Sequence, residues 1–380
     1  MRIPYFIAFL LCAACTAGQA PAPATPATSS KSPARPVWQM QESGSTAGLR
    51  GIDSVDGTVA WASGTEGTVL RTLDGGAHWT LCATPDAAKD GATLDFRGIQ
   101  AWDKDTAIVM ASGPGEKSRL YKTTDGCKTW RLLFTNPDRN GFWDAFTVED
   151  GWQPNDEKRL MILGDPVAGQ FAIWWSGDGG NHWKKWPTQP SAAGESAFAA
   201  SNTALLDLTL DGFRLFGTGG PEGARLFMEC DPCTSEPFDK DDFIVRPMKM
   251  FRNGPSAGIF SIGADDPRYG LRLVAVGGDY QKSNENGDAA YSLDRFHWQA
   301  STKPPHGYRS AVQWSEALQL WITVGTNGSD ISRDDGKTWQ PLDDGNWNAL
   351  SLPFVVGPRG RIARLDATAI PPAAEQHGKQ

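Results

Sequence analysis

Histidine is scarce in this 380-residue chain, with five in all, and His78, His182 and His297 each stand directly before a Trp in a repeated turn. That is not metal-ligand spacing, so no metal site is expected. Cations are in deficit: 36 Lys and Arg face 44 Asp and Glu, for a net charge of −8. An acidic chain lacks the basic face that a phosphate-tracking partner needs, which argues against nucleic acid. No long stretch carries a 3.6-residue apolar period, and no Gly-rich loop opens a helix, so neither a helical bundle nor a nucleotide or other cofactor motif is indicated. The early apolar run is too short to span a bilayer. What the chain does hold is 16 Trp and 42 Gly with 40% hydrophobic residues, a composition suited to many short strands joined by tight turns.

The first residues read as a processing signal. "MRIPYFIAFLLCAACTAGQA" places small residues ahead of Cys15 and resembles a bacterial lipobox, with Cys12 where that motif usually has Leu. Residues 1–15 are expected to be a lipoprotein-type signal peptide lipidated at Cys15, the alternative being plain cleavage near Ala20. Residues 16–36, "APAPATPATSSKSPARP" in their later part, read as a Pro/Ala/Ser tether. An exported, periplasmic protein held to a membrane by lipid follows.

Repeats organise the rest. "TLDGGAHW" (72–79), "TTDGCKTW" (123–130), "SGDGGNHW" (176–183), "SLDRFHW" (292–298) and "SRDDGKTW" (332–339) share one pattern and resemble the Asp-box, or BNR, repeat. A Ser or Thr hydroxyl and a carboxylate accept backbone N–H bonds inside such a turn, and Trp packs between neighbouring sheets. Asp74, Asp125, Asp178, Asp294 and Asp334 are therefore read as structural. A decayed copy lies at 229–238. Two further columns occur seven times: Gly-rich corners from "SGTEG" (63–67) to "GPRG" (357–360), and opening segments "LRGI", "FRGI", "WDAF", "AFAA", "FSIG", "YRSA" and "WNAL". Each unit reads as a four-stranded meander, and the last lacks its fourth strand. "VWQMQ" (37–41) aligns with the strands after the boxes, so Trp38 joins the Trp column and the N-terminal strand closes the ring. The expected fold is all-β: a seven-bladed β-propeller over 37–367, with a flexible tail at 368–380.

In such a meander the opening residues and the Gly corners share one face. Arg50, Arg97, Asp144, Ser261, Arg309 and Asn348 are expected around one mouth of the channel, with Asp165, Asp279, Tyr280 and Tyr308 beside them and Glu195 just ahead of the fourth opening strand. Either this charged ring binds a ligand, or the arginines pair with Asp144, Asp165 and Asp279 as a plug.

The corners, boxes and arginine column together resemble the photosystem II assembly and stability factor family of exported seven-bladed propellers. The resemblance implies a non-catalytic scaffold without cofactor or metal that holds a protein or peptide partner, such as an envelope membrane-protein complex, through an arginine-rich face, here Arg50, Arg97 and Arg309. Asp boxes also occur in sialidases. A glycosidase is the runner-up: Arg50, Arg97 and Arg309 on a carboxylate, with Tyr280 or Tyr308, Glu195, and Asp144 or Asp165. Three arginine heads converging on one point would favour it. A monomer is expected. In an oxidising compartment Cys230 and Cys233 are expected to form a short-loop disulfide, and a bridge between Cys82 and Cys127 on adjacent blades is left open.

Overall fold

The computed structural model describes residue 1 and residues 36–149, 158–186, 189–208, 213–230, 243–266 and 270–372. Seven antiparallel sheets follow one another along the chain, and among the described residues the only helical pieces are four short 3-10 turns. Blade 1 spans residues 49–81, blade 2 96–135, blade 3 143–190, blade 4 205–247, blade 5 257–300 and blade 6 311–343. Blade 7 takes three strands from residues 349–365 and its fourth from Trp38–Gln41, which pairs antiparallel with Ile362–Leu365 in the register Trp38 to Leu365. The fold is a seven-bladed β-propeller.

Closure is carried by the side chains as well as the ladder. Blade 7 meets blade 1 through the Leu49 N–H on the Gly357 carbonyl, the Asn348 amide on the Leu49 carbonyl and the Ser54 N–H on the Ser351 hydroxyl. Trp38 is buried in a cluster with Leu320, Ile322, Val324 and Ile331 of blade 6, and its indole N–H donates to Ser329 Oγ at 3.1 Å. Every Trp of the column behaves this way, packing onto the preceding blade. Trp79 meets Phe354 edge-on at 5.7 Å, Trp183 stacks on Phe134 at 4.7 Å, and Trp339 lies among Val274, Val276 and Tyr291. A large flat side chain can fill a wedge-shaped gap between twisted sheets, which explains its recurrence at this position.

The five turns ahead of these tryptophans share one hydrogen-bond scheme. In the first, the Gly76 N–H donates to Thr72 Oγ1 and the His78 N–H donates to Asp74 Oδ1, while Thr72 Oγ1 donates to the same carboxylate. Equivalent bonds recur at Asp125, Asp178, Asp294 and Asp334. The backbone donor of His78 holds the Asp74 carboxyl down to about 2.

Three local expectations change. Blade 3 carries a fifth strand, Gln189–Pro190, paired with Gln170 and Phe171. In blade 4 the "AFAA" segment is not strand: the inner strand is Leu205–Leu208, preceded by a single bridge at Ser196. Residues 368–372, expected as tail, stay on the propeller, because Asp366 caps a turn over Ala367–Ala369 and Ile370 packs on the core shared by blades 6 and 7. The expectations for residues 2–35, including Cys15, fall outside the described residues, as do Cys233 and the proposed Cys230–Cys233 bridge.

Cys82 and Cys127 form a disulfide with Cα atoms 5.4 Å apart, joining the outer edge of blade 1 to the turn of blade 2. Their sequence separation of 45 closes a sizeable loop. The unreduced protein is expected to offer no reactive thiol from either residue. Changing both to Ser should lower unfolding free energy by about 3–4 kcal/mol, read by denaturant unfolding; unchanged stability would argue against the bridge.

Candidate functional site

Bulges set which side chains look into the upper mouth. The opening strands of blades 1, 2, 3 and 5 slip register at Arg50, Arg97, Asp144 and Phe260, so the extra residue of each points to the channel. Close approach of backbones identifies the same position in blades 6 and 7. A Cβ on Gly64 would stand 2.3 Å from the Gly48 carbonyl oxygen, and one on Gly325 would stand 1.9 Å from that of Tyr308. Gly48 and Tyr308 are thus equivalent, which aligns Leu49 with Arg309 and Arg50 with Ser310. By the same contact at Gly357, Asn348 shares the column.

Two sequence-based placements are therefore off by one residue, and a one-residue slip sends a strand side chain to the opposite face. Arg309 does not reach the mouth. It is fully buried and bound to Asp330, with Nε to Oδ2 at 2.7 Å and Nη1 to Asn327 Oδ1 at 2.7 Å, while His306 Nδ1 lies 2.9 Å from Asp330. Ser261 is fully buried below the mouth, accepting from the Val312 N–H and bonding Thr203 Oγ1 at 2.7 Å. Phe260 and Ser310 take the places expected for them.

Among the described residues the channel is crossed and closed. Residues 199–203, ahead of the blade 4 inner strand, cross it and bond to four other blades. The Ala199 carbonyl accepts from Arg97 of blade 2, and Asn202 exchanges bonds with the Phe146 N–H and carbonyl of blade 3. The Ile262 N–H of blade 5 donates to the Thr203 carbonyl, and Ser201 Oγ donates to the Ser310 carbonyl next to blade 6 at 2.6 Å. Above this plug lies a blind cup of about 440 Å³ lined by Arg50, Arg97, Phe142, Asp144, Ala197–Ala200, Phe260, Tyr280, Tyr308, Ser310, Thr326 and Asn348.

Its charged half comes from blades 1 to 3. Asp95 sits between the arginines, 2.8 Å from Arg97 Nε and 3.8 Å from Arg50 Nε. Burial, followed by the repulsion of Arg97, lowers the Arg50 pKa from its ordinary value. Asp144 is 2% exposed, and its Oδ2 meets no donor among the described residues. Burial first, then the Asp165 carboxyl, pushes its pKa well above the carboxylate range, with Arg97 opposing. Asp165 is pushed up to about 6 by burial, with the Ala197 backbone and the Ser196 side chain opposing. The Asp165 and Ala199 backbone groups lower the Asp144 pKa by smaller amounts.

The remaining expected residues divide. Tyr308 and Asn348 line the cup, although Tyr308 is only 5% exposed, and Tyr280 stands at the rim, half exposed. Glu195 and Asp279 do not line it. Glu195 is buried against Arg225 and Thr218 beside a separate recess that Asp165 also lines. Asp279 accepts from Ser256 Oγ at 2.7 Å and caps the turn at Tyr280. Sequence reasoning missed Phe142, Phe198, Phe260 and Asp95, because isolated aromatics in an all-β chain read as core and Asp95 lies outside the repeated columns. The glycosidase alternative needs three arginine heads at one point, and only Arg50 and Arg97 reach the cup.

No family model matches the chain. A photosystem II assembly lipoprotein, Ycf48, from Synechococcus sp. (strain CC9902) is 23% identical over 326 residues, covering 81% of each chain. The chain is similar to Ycf48 in sequence. Among solved structures, YCF48 from Cyanidioschyzon merolae matches with a TM-score of 0.58 at 18% identity, over 87% of this chain and 98% of that one. A YCF48 bound to D1 peptide matches with a TM-score of 0.58 at 15% identity, over 87% and 96%. The Ycf48-like architecture thus extends over nearly the whole described propeller.

Asp165 gives the site a pH signature. A carboxyl raised in the fold is protonated there while its unfolded counterpart is ionised, so stability declines as pH rises from about 4 to 6 and then levels. Asp53, pushed up to about 6 by burial, acts in the same direction. Asp165→Asn should therefore recover about 1–2 kcal/mol at pH 7 relative to pH 4, measured by unfolding at both values. An identical pH slope in the variant would contradict the assignment.

Proposed function

We propose that this chain is a non-catalytic, exported scaffold that grips a protein or peptide partner in the cup, with Arg50 and Arg97 taking an anionic group. The observation that carries the reading is the cup itself: a blind, rigid recess whose two partly accessible guanidiniums stand over a plugged floor. Arginine in a partly desolvated recess binds carboxylate in a defined geometry and at little entropic cost. That the YCF48 relative was solved with a peptide lends support, without transferring the identity of that peptide. A recess of this size in a β-scaffold lies within the range of roughly 300–1,000 Å³ typical of small-ligand clefts, which suits a short segment rather than a whole domain.

The same reading places residues 1–15 as a lipoprotein-type signal with Cys15 lipidated, 16–36 as tether, and the propeller as a monomer facing the periplasm. The relative's designation as a lipoprotein supports the anchor. An envelope membrane-protein complex is the partner class that a tethered propeller would meet. Arg309 leaves the binding set and serves instead to neutralise buried Asp330.

Crosslinked pull-down from the native envelope tests this. Arg50→Ala with Arg97→Ala should retain the fold and lose the partner by about tenfold or more, as loss of charge-assisted bonds requires. Arg309→Ala, which strands a buried carboxylate, should cost about 3–5 kcal/mol of stability. Equal partner recovery by the double variant would dispose of the proposal.

A further inference from the structure

The cup is chemically two-sided. Opposite the arginines, blades 4 to 6 supply a continuous aromatic wall. Phe198 and Phe260 stack with centroids 4.0 Å apart at 17°, and Tyr308 meets Phe260 edge-on at 4.8 Å and 90°. Tyr280 adds a further edge at 6.1 Å and is 48% exposed. Phe260 and Tyr308 are buried and serve as backing, so the faces a ligand can touch belong to Phe198 and Tyr280. Phe260 occupies the inward bulge position that Arg50, Arg97 and Asp144 occupy in other blades. An aromatic ring at a position polar elsewhere in the ring of blades is not required by closure, and in blade 6 the same position carries Ser310.

We infer that this wall is a side-chain subsite, and that the cup takes a peptide's C-terminal aromatic residue, with the terminal carboxylate toward Arg50 and Arg97 and the ring against Phe198 and Tyr280. The inference rests on the peptide-binding reading above and names its ligand. Three features select this occupant. The plug at residues 199–203 closes the floor, so a chain cannot thread through and an end is the segment that enters deepest. The volume of about 440 Å³ suits one or two residues. The charge also matches: a terminal residue carries a carboxylate and a ring on a single Cα, as the cup presents guanidinium and aromatic surface on facing sides of one cavity. Arg50 lies close enough to Tyr308 for each to shift the other's titration, so the two halves adjoin.

The test uses the mature full-length protein and three synthetic peptides in calorimetric or fluorescence titration: acetyl-Gly-Gly-Ser-Phe as the free acid, the same peptide as its C-terminal amide, and acetyl-Gly-Gly-Ser-Ala as the free acid. The Phe acid should bind about tenfold tighter than the Ala acid, the worth of one buried ring against aromatic partners. Tyr280→Ala, a rim change that leaves the core intact, and Phe198→Leu, which keeps volume, should each shrink that preference. Equal affinity for the Phe and Ala acids, or a preference untouched in both variants, would overturn the inference. Acid and amide binding alike while the Phe preference stands would instead sink the arginine reading and spare the aromatic subsite. No binding of any peptide at millimolar concentration would overturn both.

Discussion

The pairing of Trp38–Gln41 with Ile362–Leu365 is the contact on which everything else depends. A propeller of meandering blades has an open seam wherever the chain starts and stops, and an unpaired strand edge there invites other chains. Here the seam is closed inside a blade, so the interface between blades 7 and 1 is an ordinary one, held by Asn348, Leu49 and Ser351 like its neighbours. Trp38 gives the closing strand a second hold by packing on blade 6 and bonding Ser329. The strand therefore ties two blades rather than one. Because each blade's inner strand fixes the position of the next, closure sets the radius of the mouth.

On that fixed ring the plug converts a channel into a cup. Residues 199–203 are held by backbone and side-chain groups of several blades, and the plug's own polar groups are spent on those bonds. Asp144 and Asp165 lie beside the approach to it at an electrostatic cost: burial raises both pKa values, and the Asp165 carboxyl raises that of Asp144 further. Raised carboxyl pKa values beside arginines often signal catalysis. In this site the largest cause of the perturbation is burial of the two carboxyls. The cup then offers two arginines around one carboxylate, Asp95, on one side and an aromatic wall on the other.

Architecture was largely legible from the chain because it is written in repeated spacing. The Trp after each box, the Gly at each close backbone approach, and the absence of a seventh box all report on local geometry that recurs seven times, and Trp38 could be placed by its column alone. The site was legible only in part. Arg50, Arg97, Asp144 and Asn348 fall in the mouth column, but Arg309 and Ser261 were each misplaced by one residue, since a β-bulge advances the register without leaving a mark in residue identity. Phe260 and Ser310 hold those positions instead. The plug was not legible at all: it is a departure from the repeat within blade 4, and departures carry no periodic signal. Glu195 and Asp279 looked like mouth residues because they neighbour it in sequence, yet each is committed to a nearby donor.

Hydrogen exchange read by mass spectrometry on the mature chain, compared with a variant that starts at residue 44, tests the central claim most directly. With the N-terminal strand present, the amides of Ile362–Leu365 should be protected as well as those of inner strands. Without it, protection there should collapse, and exchange should rise in residues 308–311 and 347–350 as the mouth loses its fixed radius. Protection at 362–365 that is the same in both proteins would show that something other than Trp38–Gln41 closes the ring.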